Sequence, residues 1–144
     1  MANKSNFPLN GLRVCIDSMA DGKICGFFYS PLDKEAYEAH GFEDFVLKAD
    51  HLFDKYGYPQ AYVTGRSFQE EQPDENHYRG MPKAVRTVEE ILSFRGEYAT
   101  CDIVVESRKN ATWQGIVGDG HGRMIGRFEC VLDITKIIRE YLGE

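Results

Sequence analysis

Residues 12–18 and 23–30 form two apolar-rich runs around Ala20-Asp21-Gly22, a pattern that predicts a β-hairpin closed by Pro31. A polar stretch follows. Phe42, Phe45, Val46, Ala49, Leu52, Phe53 and Tyr56 then recur at helical spacing. They occupy a stripe roughly 120° wide, which predicts a helix over 42–56 lying on one surface. Gly57 and Pro59 stop it. Residues 61–68 read as a strand whose Gly65 marks a bulge, and the acidic stretch 69–86 reads as a long loop, the most mobile part of the chain. Thr87-Val88-Glu89-Glu90 is a capping box opening a short helix through Phe94.

The pattern then repeats. Strands are expected near 98–107, 112–118 and 123–127, followed by a helix from Phe128 to Leu142. Val14-Cys15-Ile16-Asp17-Ser18 aligns with Ile103-Val104-Val105-Glu106-Ser107 at an offset of 89, and Gly26 falls on Gly115 without a gap. Phe42-Glu43 matches Phe128-Glu129 at an offset of 86. The expected fold is therefore α+β: an antiparallel sheet carrying helices, built from two ββα-like repeats in one domain spanning 1–144. The halves cover about 12–56 and 101–142, and neither alone buries its apolar face.

The last helix is the wider of the two. Phe128, Val131, Leu132, Ile134, Ile137, Ile138, Tyr141 and Leu142 spread over roughly 220°. Such a stripe needs cover, from the short helix around Val88-Ile91-Leu92 or from a second subunit meeting Ile134, Ile137 and Tyr141.

Composition narrows the functional classes. A net charge of −6 and a pI near 5.2 argue against nucleic acid and anionic membranes as partners. No signal-peptide pattern and no membrane-length apolar run is visible, so a cytoplasmic location is expected. Cys15, Cys25, Cys101 and Cys130 lack Cys-x-x-Cys spacing and are expected as free thiols. The histidines at 40, 51, 77 and 121 show no ligand spacing, so neither metal nor cofactor is expected.

Trp113 is the only tryptophan, and strand register decides its place. If Ser107 pairs with Trp113, the indole shares a face with Ile103, Val105, Gly115 and Val117; if Ser107 pairs with Thr112, it points away. The first register buries more apolar surface. Arg108, Asn110 and Gln114 form a candidate polar cluster able to hold a carboxylate or peptide backbone, unless Lys109-Asn110 merely turns the chain. Gly118-Asp119-Gly120-His121-Gly122 lies between strands and opens no helix, so it reads as a hairpin loop and not a phosphate loop.

The segment Arg108-Lys109-Asn110-Ala111-Thr112-Trp113-Gln114-Gly115, followed by Phe128 and its aliphatic helix, resembles a pattern in short uncharacterised proteins of clostridia and related Firmicutes. Gly26-Phe27-Phe28-Tyr29-Ser30-Pro31, Pro59-Gln60 and Arg66-Ser67-Phe68 extend the resemblance over most of the chain. Departures fall at Lys109 and at 118–122. The resemblance implies a whole-chain unit and a special status for the Trp113 segment, and it implies no activity.

No nucleophile and base can be paired from sequence order. The expected function is a non-catalytic binding or regulatory protein, working as a homodimer or with a protein partner. The alternative is a small-molecule or peptide-binding sensor with a cleft near Arg66, Arg108, Asn110, Trp113 and Gln114.

Overall fold

The computed structural model describes residues 7–19, 23–58, 61–62, 83–109 and 112–143. The chain order is β1 (Gly11–Ser18), β2 (Cys25–Tyr29), β3 (Tyr37–His40), α1 (Phe42–Tyr56), β4 (Ala61–Tyr62), α2 (Val88–Ser93), β5 (Ala99–Lys109), β6 (Gln114–Gly118), β7 (Met124–Phe128) and α3 (Val131–Leu142). Six strands form an antiparallel sheet in the order β3-β2-β1-β5-β6-β7, and β4 adds a short parallel pairing to β5. The fold is α+β, as the alternation and helical periodicity predict.

Side chains alternate across each strand, so the two sheet faces differ. Leu12, Val14, Ile16, Phe28, Ile103, Val105, Val117 and Phe128 point to one face, where they pack with Phe45, Ala49, Phe53, Ile134 and Ile138 of α1 and α3. Arg13, Tyr29 and Asp102 point to the other face, which α2 and the following residues cover: Arg13 donates to Leu92 O and Phe94 O, and the Tyr29 and Phe94 rings stack at 3.8 Å.

The sequence-predicted limits of α1 match the structure, and Gly57 closes it in the left-handed conformation. Thr87 caps α2 by accepting from Glu90 N. Two boundaries differ from expectation. Tyr37–His40 is a third strand in the first half, and Phe128 ends β7 instead of opening α3, because it pairs with Gly115 and is fully buried. The predicted turn at Ala20-Asp21-Gly22, the Gly65 bulge and the acidic stretch as far as Pro82 lie outside the described residues.

Those two corrections bring the halves into one register. At a constant separation of 89, β2 falls on β6 residue for residue, and α1 and α3 begin at equivalent positions. The pairings correspond as well. Ile16 with Gly26 then Ser18 with Cys25 becomes Val105 with Gly115 then Ser107 with Gln114, the same register shift in both hairpins. A Cβ on Gly26 would collide with Cys15 O and one on Gly115 with Val104 O, so both bulges require glycine. Each helix start is held alike: Asp44 accepts from His40 N and Asp133 from Glu129 N. The segments β1-β2-β3-α1 and β5-β6-β7-α3 thus share one element order, with one strand more than the ββα read from sequence.

The wide apolar stripe of α3 is covered largely by its own chain. Ile134 and Ile138 are buried, and Ile137 is half-buried over Gly126 of β7. The cover is the sheet; α2 sits on the opposite face. All four cysteines are free thiols. Among the described residues no helix is long and apolar enough to cross a membrane.

The halves meet at β1 and β5, where Arg13 pairs with Asp102, its own counterpart at the 89-residue offset. Arg13 is fully buried and donates to both Asp102 carboxylate oxygens at 2.9 Å, with Gly120 O accepting at 3.2 Å. Arg13→Leu strands the partly buried Asp102 carboxylate and three carbonyls, and is expected to cost about 3–5 kcal/mol. Loss of the exposed Arg127–Glu106 pair by Arg127→Ala is expected to cost about 0–1 kcal/mol. Urea denaturation of both variants checks this, and equal losses would show that Arg13 is not the buried tie.

Candidate functional site

Arg108, at the end of β5, places its guanidinium 3.0 Å from Asp50 Oδ1 and 2.8 Å from Asp54 Oδ1, both on α1, and lies over the Phe53 ring. Trp113 Nε1 donates to the same Asp50 oxygen at 3.0 Å. The indole is 2% exposed and packs edge-on to Phe45 and Phe53. The first of the two registers holds only as far as Val105–Gly115; a bulge then pairs Ser107 with Gln114, not with Trp113, and the indole remains on the core face. A buried ring with its N–H already bonded presents no face to a ligand. Gln114 points to the other face, where it accepts from Ser107 Oγ at 2.7 Å and donates to Glu129 O. Arg108 and Trp113 therefore come together, Gln114 stands apart, and Arg66 and Asn110 lie outside the described residues.

Two further polar clusters are closed by the chain itself. Asp33 accepts from Tyr37 Oη at 2.6 Å, Tyr56 Oη at 3.2 Å and Glu35 N at 3.1 Å. Burial opposes its charge, but these hydrogen bonds, with Lys55 nearby, outweigh burial and hold its pKa below the ordinary value. Burial and the Asp33 contact push Tyr37 upward. Arg86 donates to Asp33 O at 2.9 Å and Glu90 Oε2 at 2.7 Å and faces the Tyr29 and Phe94 rings, pinning residues 86–94 to the β2–β3 turn.

The two buried cysteines are poor nucleophiles. Burial pushes the Cys15 thiol up to about 11 and the Cys101 thiol up to about 12, so neither is a thiolate near neutral pH. Among the described residues no group of three His, Cys, Asp or Glu is placed to hold a metal.

With the halves in register, each provides a control for the other, and two places differ. Beside Trp113, the large indole and the Asp50–Arg108 pair fill the space. At the equivalent place in the first half Ile24 replaces Trp113 and Arg139 replaces Asp50, leaving an open groove of about 450 Å3 that Lys23 and His40 also line. The reverse holds at the other end of the sheet. There Ser30, Leu32, Leu52 and Phe53 are all buried in the first half. Their counterparts Asp119, His121, Tyr141 and Leu142 instead line an open groove of about 630 Å3 together with Arg95, Tyr98 and Thr100.

The second groove is the better built. Asp119 Oδ1 accepts from His121 N at 2.8 Å and Arg123 N at 3.1 Å, fixing the Gly118–Gly122 loop. Burial again opposes the carboxylate, and those two N–H groups outweigh it and lower its pKa. Gly120 O accepts from buried Arg13 and, at 3.1 Å, from Arg95 Nη2. Arg95 Nη2 also meets His121 Nδ1 at 3.3 Å. A guanidinium only donates, so Nδ1 accepts and the neutral ring carries its proton on Nε2. Thr100 Oγ1 accepts from Gly96 N at 3.0 Å. Sequence reading takes this loop as a plain hairpin turn, because Arg95 is 26 residues from His121 and nothing local joins them.

Comparison of the chain with protein-family models, curated proteins and solved structures yields no match. The geometry alone carries the functional argument.

Asp33 makes a testable contribution to stability. A lowered folded-state pKa adds stability above the unfolded aspartate value of about 3.9, lost as pH falls through the folded value. Tyr37→Phe is expected to cost about 1.5–3 kcal/mol at neutral pH, the range for a hydrogen bond to a charged group. Its deficit relative to the wild type should narrow on acidification. A deficit independent of pH, measured by denaturant melts from neutral to acid, would remove Asp33 from this role.

Proposed function

We propose that the protein works by binding and not by catalysis, and that its ligand occupies the groove lined by Arg95, Tyr98, Thr100, His121 and Tyr141. We read the two halves as copies of one βββα unit. Against that background, the carrying observation is that apolar residues seal the first half at this place while polar and aromatic residues leave the second open. This is the sensor alternative moved from the Trp113 hairpin, whose cleft is filled, to the opposite end of the sheet.

The test borrows the closed half. His121→Leu with Tyr141→Leu, the residues standing at those places in the first half, is expected to raise stability by about 1–3 kcal/mol through added apolar burial. The same double variant should lose the small-molecule fragments that perturb Arg95, Thr100 and His121 resonances of the wild type. Fragments that bind wild type and double variant equally would refute the groove as the site.

Self-association, or a protein partner, is the second reading. With Ile134 buried in its own chain, this surface rests on Leu47 and Leu132, which stand 71% and 73% exposed on α1 and α3. It predicts a light-scattering mass of twice 16.4 kDa at micromolar concentration, returning to the single value in Leu132→Glu. A wild-type monomer excludes the homodimer.

A further inference from the structure

Resting on the groove reading above, we infer that the ligand is an oxyanion, a carboxylate or a phosphate, carried on an apolar body. Arg13, Arg86, Arg108 and Arg127 each have a carboxylate within ion-pair distance. Arg95 has none among the described residues; its acceptors are Gly120 O and His121 Nδ1, both neutral. Both contacts use Nη2. Nε and Nη1 keep N–H groups with no acceptor among the described residues, so the charge still has donors for a carboxylate or phosphate oxygen.

The surrounding groups point the same way. Arg95 holds His121 Nδ1 as an acceptor, which makes Nε2 a donor. The Thr100 hydroxyl oxygen already accepts from Gly96 N, so its proton is available to an acceptor. Asp119, the carboxylate lining this groove, already takes the N–H groups of His121 and Arg123 on Oδ1. Donors, the Arg95 N–H groups, His121 Nε2 and the Thr100 hydroxyl, therefore outnumber acceptors. The Tyr98 and Tyr141 rings, each about half exposed, and Leu142 supply an apolar flank. The volume falls within the range of small-ligand sites, about 300–1,000 Å3.

The loop that presents these groups is held from behind. Gly120 O receives Arg13, so the position of His121 depends on the buried pair joining the halves. The donors are fixed before any ligand arrives, which limits the ordering penalty of binding.

The experiment titrates the full chain with benzoate, phenyl phosphate and uncharged benzyl alcohol, following amide and side-chain NMR shifts. At least one anion is expected to bind about tenfold more tightly than the alcohol, a difference of about 1.4 kcal/mol. The preferred anion distinguishes a carboxylate ligand from a phosphate. Arg95→Ala should weaken that anion about tenfold, and Arg95→Lys, which keeps the charge on one nitrogen and so cannot also hold Gly120 O and His121, should recover only part of the loss. Arg123→Ala, which removes equal charge outside the groove lining, should leave it unchanged. Benzyl alcohol binding as tightly as the anions at the same residues overturns the oxyanion inference and leaves groove binding standing. Equal weakening by Arg95→Ala and Arg123→Ala also overturns it, because diffuse charge then explains the affinity. Silence of the groove resonances toward all three probes fails both readings.

Discussion

Everything in this fold hangs on the antiparallel pairing of β1 with β5. Among the described residues no other strand pairing joins β1-β2-β3 to β5-β6-β7, so this ladder makes one sheet of six strands. In such a join, residue positions equivalent in the two halves come face to face at one place, and here that place holds Arg13 and Asp102. Like charges there would oppose each other across the ladder; opposite charges bond. A buried ion pair is weak evidence of added stability. Its consequence is geometric, because Arg13 also takes Leu92 O, Phe94 O and Gly120 O. One side chain ties the sheet to α2 and to the loop that carries His121.

Where the sequence is periodic, the fold is legible. The stripe from Phe42 to Tyr56 has one apolar face and a left-handed glycine after it, and it forms the helix those features predict. Apolar burial likewise decides the β5–β6 register, because only one alignment puts Ile103, Val105, Trp113 and Val117 together. Backbone pairing is less visible. Phe128 stands three residues before Val131 and fits a helical period, yet it closes a strand pair with Gly115. Tyr37-Glu38-Ala39-His40 is polar on its exposed side and short, as edge strands often are, and pattern alone does not separate it from a loop. Aligning the two halves would have found it, since β7 already supplied the third strand of the unit.

The side-chain constellations are less legible than the elements, and the reason is distance along the chain. Arg108 and Trp113 look like a surface cluster because their neighbours in sequence are polar. Their partner Asp50 is 58 residues from Arg108, on a helix whose exposed face is mostly charged or polar. Two carboxylates at helical spacing, Asp50 and Asp54, turn a candidate ligand-binding arginine into a rivet between α1 and the hairpin. The Arg95–His121 contact is hidden in the same way, across a loop that reads as glycine-rich filler.

On the proposed reading of the two halves as copies of one unit, the departures from symmetry between them carry a cost that points to function. Leu32 and Leu52 show that aliphatic residues close the end of a βββα unit well, each burial contributing about 1.5–3 kcal/mol. At the matching places the second half carries His121 and Tyr141, both exposed, and forgoes that stabilisation. The first half makes the opposite departure at Ile24 and Arg139, where the second half packs Trp113 against a bonded Asp50. Local choices that run against the stability of their own fold are expected at sites that serve something else. Of the two open places, the groove at His121 alone is anchored to the buried Arg13 through Gly120, so its polar groups are held in fixed positions at a surface the chain does not close.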